Sequence, residues 1–482
     1  MSISLMILEI LVIALGLGLL LTDLWTPSEQ KKNLGYVAAS GVGLLFLYSL
    51  NLSYPEPQYL QGHMFVMDEL ALFFKQYLLL AGAIVLLVTV EFSDRVRRGI
   101  VEYYVLILFA LSGMMFSASA NDFSLLFVGL ELITVTFYIL TSFQRHKNAS
   151  LEAGVKYLIL GALSSAFLVY GIAFIFGSTN TLDFYELAQK GGSLVGNSLL
   201  LLGLLLLLVG LGFKIAAFPF QIWAPDVYQG APIPTTLLLA VGSKAAGIVL
   251  LLRVLFGAVP EVTANWSEAL MWVSGLTILY GNLCALPQRN IKRMFGYSSI
   301  AHAGYILLGF SAVSQIGASA VLYYISGYLF TVLAAFSVIC IVCRTESGEQ
   351  IPALAGLHRR SPLLAAALTM SMVSLAGVPP LAGFFGKFLL LRAVLESEAT
   401  TGANIALIAV VIVGVIISMY YYFGVIRAIY WTPAPEESSP VVVSKPMRAT
   451  LYVCMSGMLY LGLFPGDLVK IVENAVKVFQ IG

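Results

Sequence analysis

Charge is what this sequence has least of: Asp, Glu, Lys and Arg make up 11% of its 482 residues, against about 25% in a typical soluble domain. So little charge excludes a water-soluble fold of this length. The formal net charge of +1 gives no ground for a nucleic-acid partner or an acidic tail. Cysteine is scarce too, and Cys284, Cys340, Cys343 and Cys454 all lie in or beside apolar runs. Cys340 and Cys343 form a CxxC, but no second pair follows and their spacing is one helical turn. They read as small packing residues rather than zinc or iron–sulfur ligands, and no metal site is expected. Also missing are a G-x-G-x-x-G after a strand, a P-loop, and a haem-binding pair of histidines. The longest connections, near residues 178–195, 344–361 and 431–447, are linker-sized, so no catalytic head for redox or nucleotide chemistry has room to fold. The first apolar run lacks a cationic leader and an A-x-A cleavage site, and is expected to be a retained span.

What the chain has in abundance is apolar length: 59% of its residues are hydrophobic and its mean hydropathy is +0.92. Runs able to cross about 30 Å of hydrocarbon fall near residues 3–22, 35–52, 70–90, 99–118, 122–142, 153–177, 196–220, 232–257, 266–286, 299–313, 316–343, 362–391, 403–430 and 448–466. The fold class expected is an all-α polytopic membrane protein with about fourteen helices, the tenth run being short. Basic residues gather in the odd-numbered connections: Lys31 and Lys32; Arg95, Arg97 and Arg98; Arg145 and Lys147; Arg289, Lys292 and Arg293; Arg344, Arg359 and Arg360; Lys445 and Arg448. The even ones hold little beyond Lys190, which places the odd loops in the cytoplasm and both termini on the opposite side.

Two runs are interrupted. Pro219 has no N–H for the carbonyl of Ile215, so the seventh helix should open one turn after Lys214. Pro379 and Pro380 do the same to the carbonyls of Leu375 and Ala376 in the twelfth, where Gly377, Gly383 and Gly386 permit a turn or close approach. Opened backbone at membrane depth is tolerated only inside protein or beside a wet cavity. Interrupted spans five apart are the mark of inverted repeats, here helices 4–8 and 9–13. The expected divisions are 1–98, 99–257, 258–430 and 431–482, holding helices 1–3, the first repeat, the second repeat, and helix 14 with its tail.

Ionisable residues inside such runs point to ion or proton pathways. Glu131 lies about 14 Å from either end of its run, near the midplane; the competing reading is a carboxyl satisfied by Thr134 or Thr136. Lys214 and Lys244 sit deep in theirs, and a buried lysine can take up and release a proton as a counter-charge approaches or leaves. Snorkelling to an interface competes, and suits Lys75 and Lys156 better. Lys387 follows the second break, with no acid near it in sequence. His302, placed at the opening of the tenth run, is either a proton shuttle or a packed histidine. Glu9, Asp68, Glu69, Glu102, Glu152 and Asp226 lie near span ends and read as solvated or orienting charges. Tyr305, Tyr323, Tyr324, Tyr328 and Tyr420–Tyr422 read first as aromatic packing, with support of water chains as the alternative.

Around these residues the chain resembles the antiporter-like subunits of respiratory complex I, and within them the subunit N class of bacterial NADH–quinone oxidoreductase. The resemblance is carried by GLELITVTFYIL around Glu131, GFKIAAFPFQIWAPDVYQGAPIP around Lys214, Ser243-Lys244, NIKRMFGYSSIAHAGY at 290–305, and SLAGVPPLAGFFGKF around Lys387. It covers essentially the whole chain. It implies fourteen helices with broken helices 7 and 12, and proton transfer through Glu131 and Lys214 as a coupled pair, Lys244 as connector, His302 as bridge and Lys387 in the second half-channel. A lysine at position 387 and the lack of a long lateral helix favour the N class over the M and L classes. The resemblance further implies a hetero-oligomer with K, M and L subunits in the bilayer of a bacterial inner membrane, with termini on the periplasmic side. No cofactor is expected in this chain, FMN, iron–sulfur clusters and quinone belonging to partner subunits. Other readings remain: a subunit of a multisubunit cation/proton antiporter, a part of a membrane-bound hydrogenase or ferredoxin-driven relative, or a structural spacer.

Overall fold

The computed structural model describes residues 3–60, 62–343, 349–397, 401–433 and 440–479; Arg344, counted above among the basic residues, lies outside them. The chain is helical almost throughout: α1 (Ile7–Asp23), α2 (Leu34–Ser49), α3 (Glu69–Phe92), α4 (Ile100–Ala118), α5 (Phe123–Thr141), α6 (Asn148–Thr179), α7 (Ser198–Ile215), α8 (Trp223–Gly230), α9 (Ile233–Ala258), α10 (Ser267–Ala285), α11 (Ile291–Ser311), α12 (Gln315–Val342), α13 (Pro362–Ala376), α14 (Ala382–Leu395), α15 (Thr401–Tyr430), α16 (Lys445–Leu463) and α17 (Pro465–Val476). One small antiparallel hairpin, β1 (Gln58–Leu60) with β2 (Phe65–Met67), lies between α2 and α3.

Nine helices among the described residues are long and apolar enough to cross a membrane, or ten if α16 and α17, bent by 86° from each other, count as one span. The chain is therefore a multi-pass, all-α membrane protein. Polar side chains close the exposed helix starts: Asp68 accepts from the Ala71 N–H, Asn197 from those of Leu199 and Leu200, and Asn290 from that of Arg293. The run at 299–313 is part of a longer helix, α11, which begins at Asn290; its polar first turn hid that start from a hydropathy reading.

Burial sorts the helices. α9 is enclosed on every side, α12 and α3 nearly so, whereas α1, α6 and α15 keep most of their apolar surface outward. α9 also contains two wider π-turns, Leu239–Ser243 and Arg253–Ala258, on either side of the segment that begins with Lys244. Such turns are uncommon and concentrate at functional sites. α6 and α7 approach closely because both offer glycine: a Cβ on Gly171 would stand 2.6 Å from the Gly203 carbonyl oxygen and the Leu207 nitrogen. Small residues at the crossing let two backbones pack where lipid supplies no hydrophobic push.

Both interruptions occur where proline removes a donor. α7 ends at Ile215 with Ala216 left-handed (φ 60°), and α8 restarts at Trp223, whose indole N–H takes the Phe213 carbonyl at 2.8 Å. α13 ends at Ala376, with Gly377 at φ +84°, and α14 restarts at Ala382. The Phe218–Pro219 and Pro379–Pro380 peptides are both cis.

Candidate functional site

Glu131 on α5 accepts a hydrogen bond from Ser165 on α6 at 2.5 Å. Its carboxyl is half-buried at the α5–α6 surface, not sealed in the core, and its hydroxyl partner is neither Thr134 nor Thr136. Thr134 serves Lys214 instead: the buried ammonium donates to Thr134 Oγ1 at 2.6 Å. Glu131 and Lys214 do not touch as an ion pair, but they are close enough to act on each other electrostatically. The pair is therefore seen apart.

Lys214 packs its stem toward Gly247, where a Cβ would lie 3.5 Å from the Lys214 Cβ. Gly247 is one turn along α9 from Lys244. Lys244 is buried and donates to the backbone oxygen and hydroxyl of Ser299 at 2.6 and 2.5 Å, and the Ser299 hydroxyl meets Tyr228 at 2.9 Å. Lys244 Nζ stands 6.0 Å from the Tyr328 ring centre, and the same ring lies 5.0 Å from the ring of His302.

His302 is in the middle of α11 rather than at its opening. Its Nδ1 is hydrogen-bonded to Tyr324 on α12, and its Nε2 meets the Tyr422 hydroxyl of α15 at 3.1 Å. Tyr422 also bonds Ser298. Beyond His302 comes Tyr305, 5.9 Å ring to ring, over which Lys387 Nζ sits at 4.8 Å. Lys387 donates to the carbonyls of Leu375 and Ala376 at 2.8 and 3.2 Å, the two that the proline break sets free. Lys214 precedes its break and Lys387 follows its own, so the two interruptions match while their lysines do not.

The four basic residues form one line, joined by a glycine gap and by aromatic rings, with Glu131 near its Lys214 end. Among the described residues neither Lys244 nor Lys387 has a carboxylate partner. A buried ammonium held only by neutral oxygens costs several kcal/mol to desolvate, a cost that no ion pair offsets at either lysine. Among the line's hydroxyls, Ser165, Tyr228, Ser298 and Ser299 escaped the sequence reading. Thr134 lies three residues after Glu131, and Ser298 and Ser299 lie four and three before His302, a helical spacing that puts each on the face of its ionisable neighbour. Tyr420, by contrast, points outward at 75% exposure, while Tyr421 donates to Asn282 at 2.9 Å.

Three other charges, Lys75, Glu9 and Asp68, depart from their expected roles. Lys75 does not snorkel: it is 0% exposed and pairs with Glu9, also 0% exposed, at 2.6 Å. Asp68 is not solvated but grips Arg253 through two bonds of 2.9 and 3.1 Å, and Arg253 Nε donates to the Ala118 carbonyl at 2.8 Å. Lys156 keeps its expected place near the surface, shared between Glu152 and Asp226 at 2.6 and 2.7 Å. Among the described residues no three His, Cys, Asp or Glu side chains gather as metal ligands.

A family model described as NADH:quinone oxidoreductase/Mrp antiporter, TM, matches residues 120–413, a stretch that contains all five residues. The NADH-quinone oxidoreductase subunit N of Desulforamulus reducens is 38% identical over 473 residues, covering 98% of each chain. A chain of respiratory complex I from Thermus thermophilus superposes with a TM-score of 0.80 at 33% identity, over 96% of this chain and 98% of that one. A chain of the membrane-bound sulfane sulfur reductase, an archaeal respiratory membrane complex, gives a TM-score of 0.88 at 25% identity, over 99% and 98%.

Proposed function

Since the chain belongs to the NADH:quinone oxidoreductase/Mrp antiporter family and its curated relatives are N subunits, we propose that Glu131, Lys214, Lys244, His302 and Lys387 carry its proton. The protein is a proton-translocating, antiporter-like subunit in the membrane arm of NADH–quinone oxidoreductase. Electron carriers, namely FMN, iron–sulfur clusters and quinone, belong to partner subunits, and the neighbours in the arm are of the K, M and L classes.

The observation that carries this reading is the placement of His302 one aromatic ring from each of two buried ammonium groups, Lys244 and Lys387. Quinone reduction elsewhere shifts a charge toward or away from Glu131. Coulomb's law at an effective dielectric of about 20 gives about 2 kcal/mol for moving a unit charge between about 4 and about 8 Å. A change of that size in the Glu131–Lys214 attraction is enough to send a proton onward through Lys244 and His302 to Lys387. The ring nitrogens of His302 and the hydroxyls of Tyr324 and Tyr422 give that proton places to rest.

The helices group as residues 1–98, 99–257, 258–430 and 431–482. Fourteen spans in all include α2, α10, α11 and the α13–α14 pair, and the matching breaks support two inverted repeats. Both termini face the periplasm of a bacterial inner membrane, as the basic odd-numbered loops favour. Replacing Lys214 by Ala in the assembled complex, reconstituted into vesicles, should abolish NADH-driven acidification while leaving artificial-acceptor NADH oxidation intact. Normal pumping by that variant would refute the role. The likeness to a chain of the sulfane sulfur reductase supports, as second reading, a subunit of another kind of respiratory membrane complex, and co-purification of NADH-oxidising subunits decides between the two.

A further inference from the structure

A second cluster of buried charge lies away from the line just described, at the end of the bundle where α1 and α3 begin. Glu9 stands one turn into α1 and Lys75 about 10 Å into α3. They meet at 2.6 Å with no exposure on either side. Glu9 Oε2 has no hydrogen-bond partner among the described residues. Lys75 Nζ also reaches Met67 Sδ at 3.1 Å and lies 4.8 Å from the Phe65 ring centre.

The residue after Met67 is Asp68, which with Arg253 lines a cavity of about 1780 Å³. That is room for tens of waters. Tyr54 lines the same cavity and is close enough to Glu9 to interact with it electrostatically. The wall of this chamber thus includes Tyr54, which acts on Glu9, and Asp68, the sequence neighbour of the Met67 that Lys75 touches. Packing alone does not call for these charges, because replacing a buried ion pair by well-packed apolar side chains of similar volume is often neutral or stabilising.

We propose that Glu9 and Lys75 form a second proton-exchange site, filled and emptied from this cavity, with the Asp68–Arg253 pair as the fixed charge at its mouth. A hydronium in the cavity gives its proton to Glu9 Oε2 and leaves as water. The carboxylate becomes an acid, its bond to Lys75 weakens, and the ammonium is left to Met67 Sδ and the Phe65 ring; the return step reverses each of these. The site rests on the proton-carrying role proposed above but uses none of the five residues named there.

The test uses the whole complex in vesicles, comparing wild type, Glu9→Gln with Lys75→Met, Glu9→Asp, and Lys214→Ala. The double variant should move fewer protons per NADH oxidised. Infrared difference spectra of turning-over against resting complex should show a carboxyl band that shifts in Glu9→Asp and is lost with Glu9→Gln. An assembled double variant with an unchanged proton-to-NADH ratio overturns the site, and so does the absence of any Glu9-dependent band. Should the double variant fail to assemble, the Glu9→Asp spectrum decides alone, since that enzyme keeps both ionisable groups. Normal pumping by Lys214→Ala would defeat the five-residue line instead, whatever Glu9 does.

Discussion

Tyr422 gives His302 Nε2 a hydroxyl at 3.1 Å and shares a second bond with Ser298, so a single phenol oxygen holds the histidine in register. Tyr422→Phe keeps the ring and removes only that oxygen. NADH-driven pumping should slow about tenfold, or ~1.4 kcal/mol of barrier, with quinone reduction in uncoupled vesicles unchanged; an unaltered pumping rate would take the hydroxyl off the line. Thr134→Val strips Lys214 of its acceptor and should destabilise the fold by about 1–3 kcal/mol, the cost of one buried group left unpaired, read as a lower unfolding temperature. At this scale the sequence was uneven as a guide. Glu131 and the lysines stand out because each is a charge in an oily run, and the carbonyls freed at Leu375 and Ala376 follow from proline chemistry alone. That Lys387 folds back onto those carbonyls does not follow, nor that Tyr422 and Tyr324, on α15 and α12, converge on His302 from far along the chain. Glu9 and Lys75 each look like end-of-span charges until the fold brings their side chains together.

At the scale of elements, two contacts set the line's geometry. α6 carries Ser165 and α7 carries Lys214, and their separation is fixed by Gly171 against Gly203. Gly171→Leu drives a side chain into backbone and should cost about 1–3 kcal/mol or more by overpacking. Native gels should show less assembled complex, and what assembles should pump poorly. α3 is strapped to α9 by Asp68 and Arg253 at one end, and Tyr77 reaches the Val241 carbonyl at 3.4 Å further along. Asp68→Leu leaves the guanidinium buried and unpaired, a loss of about 3–5 kcal/mol, measurable as thermal dissociation of the purified complex. Helix breaks were readable in advance because proline acts locally. The early start of α11 and the straps were not, since both depend on neighbours that a one-dimensional hydropathy pattern omits.

Across the whole molecule, the distribution of basic residues makes a claim about sidedness that labelling can check. Gln189 and Arg359 are both exposed, in connections of even and odd number respectively. Gln189→Cys should react with a membrane-impermeant maleimide from the periplasmic face and Arg359→Cys only from the cytoplasmic face; the reverse pattern would invert the proposed topology. The same view shows why α9 matters: among the described residues it is the one span wholly walled in by protein, and it carries Lys244 in its middle and Arg253 near its end.

The grip of Lys387 on the broken ends of its own span has one more implication. While charged, its ammonium binds two backbone oxygens with the extra strength that ionisation lends a hydrogen bond. Once the proton departs, a neutral amine grips them less firmly, so the latch that closes α13 onto α14 slackens at the instant of discharge. On the proposed role of Lys387, acidity and shape are tied at a single nitrogen, and each proton handed over would loosen the joint for the next cycle.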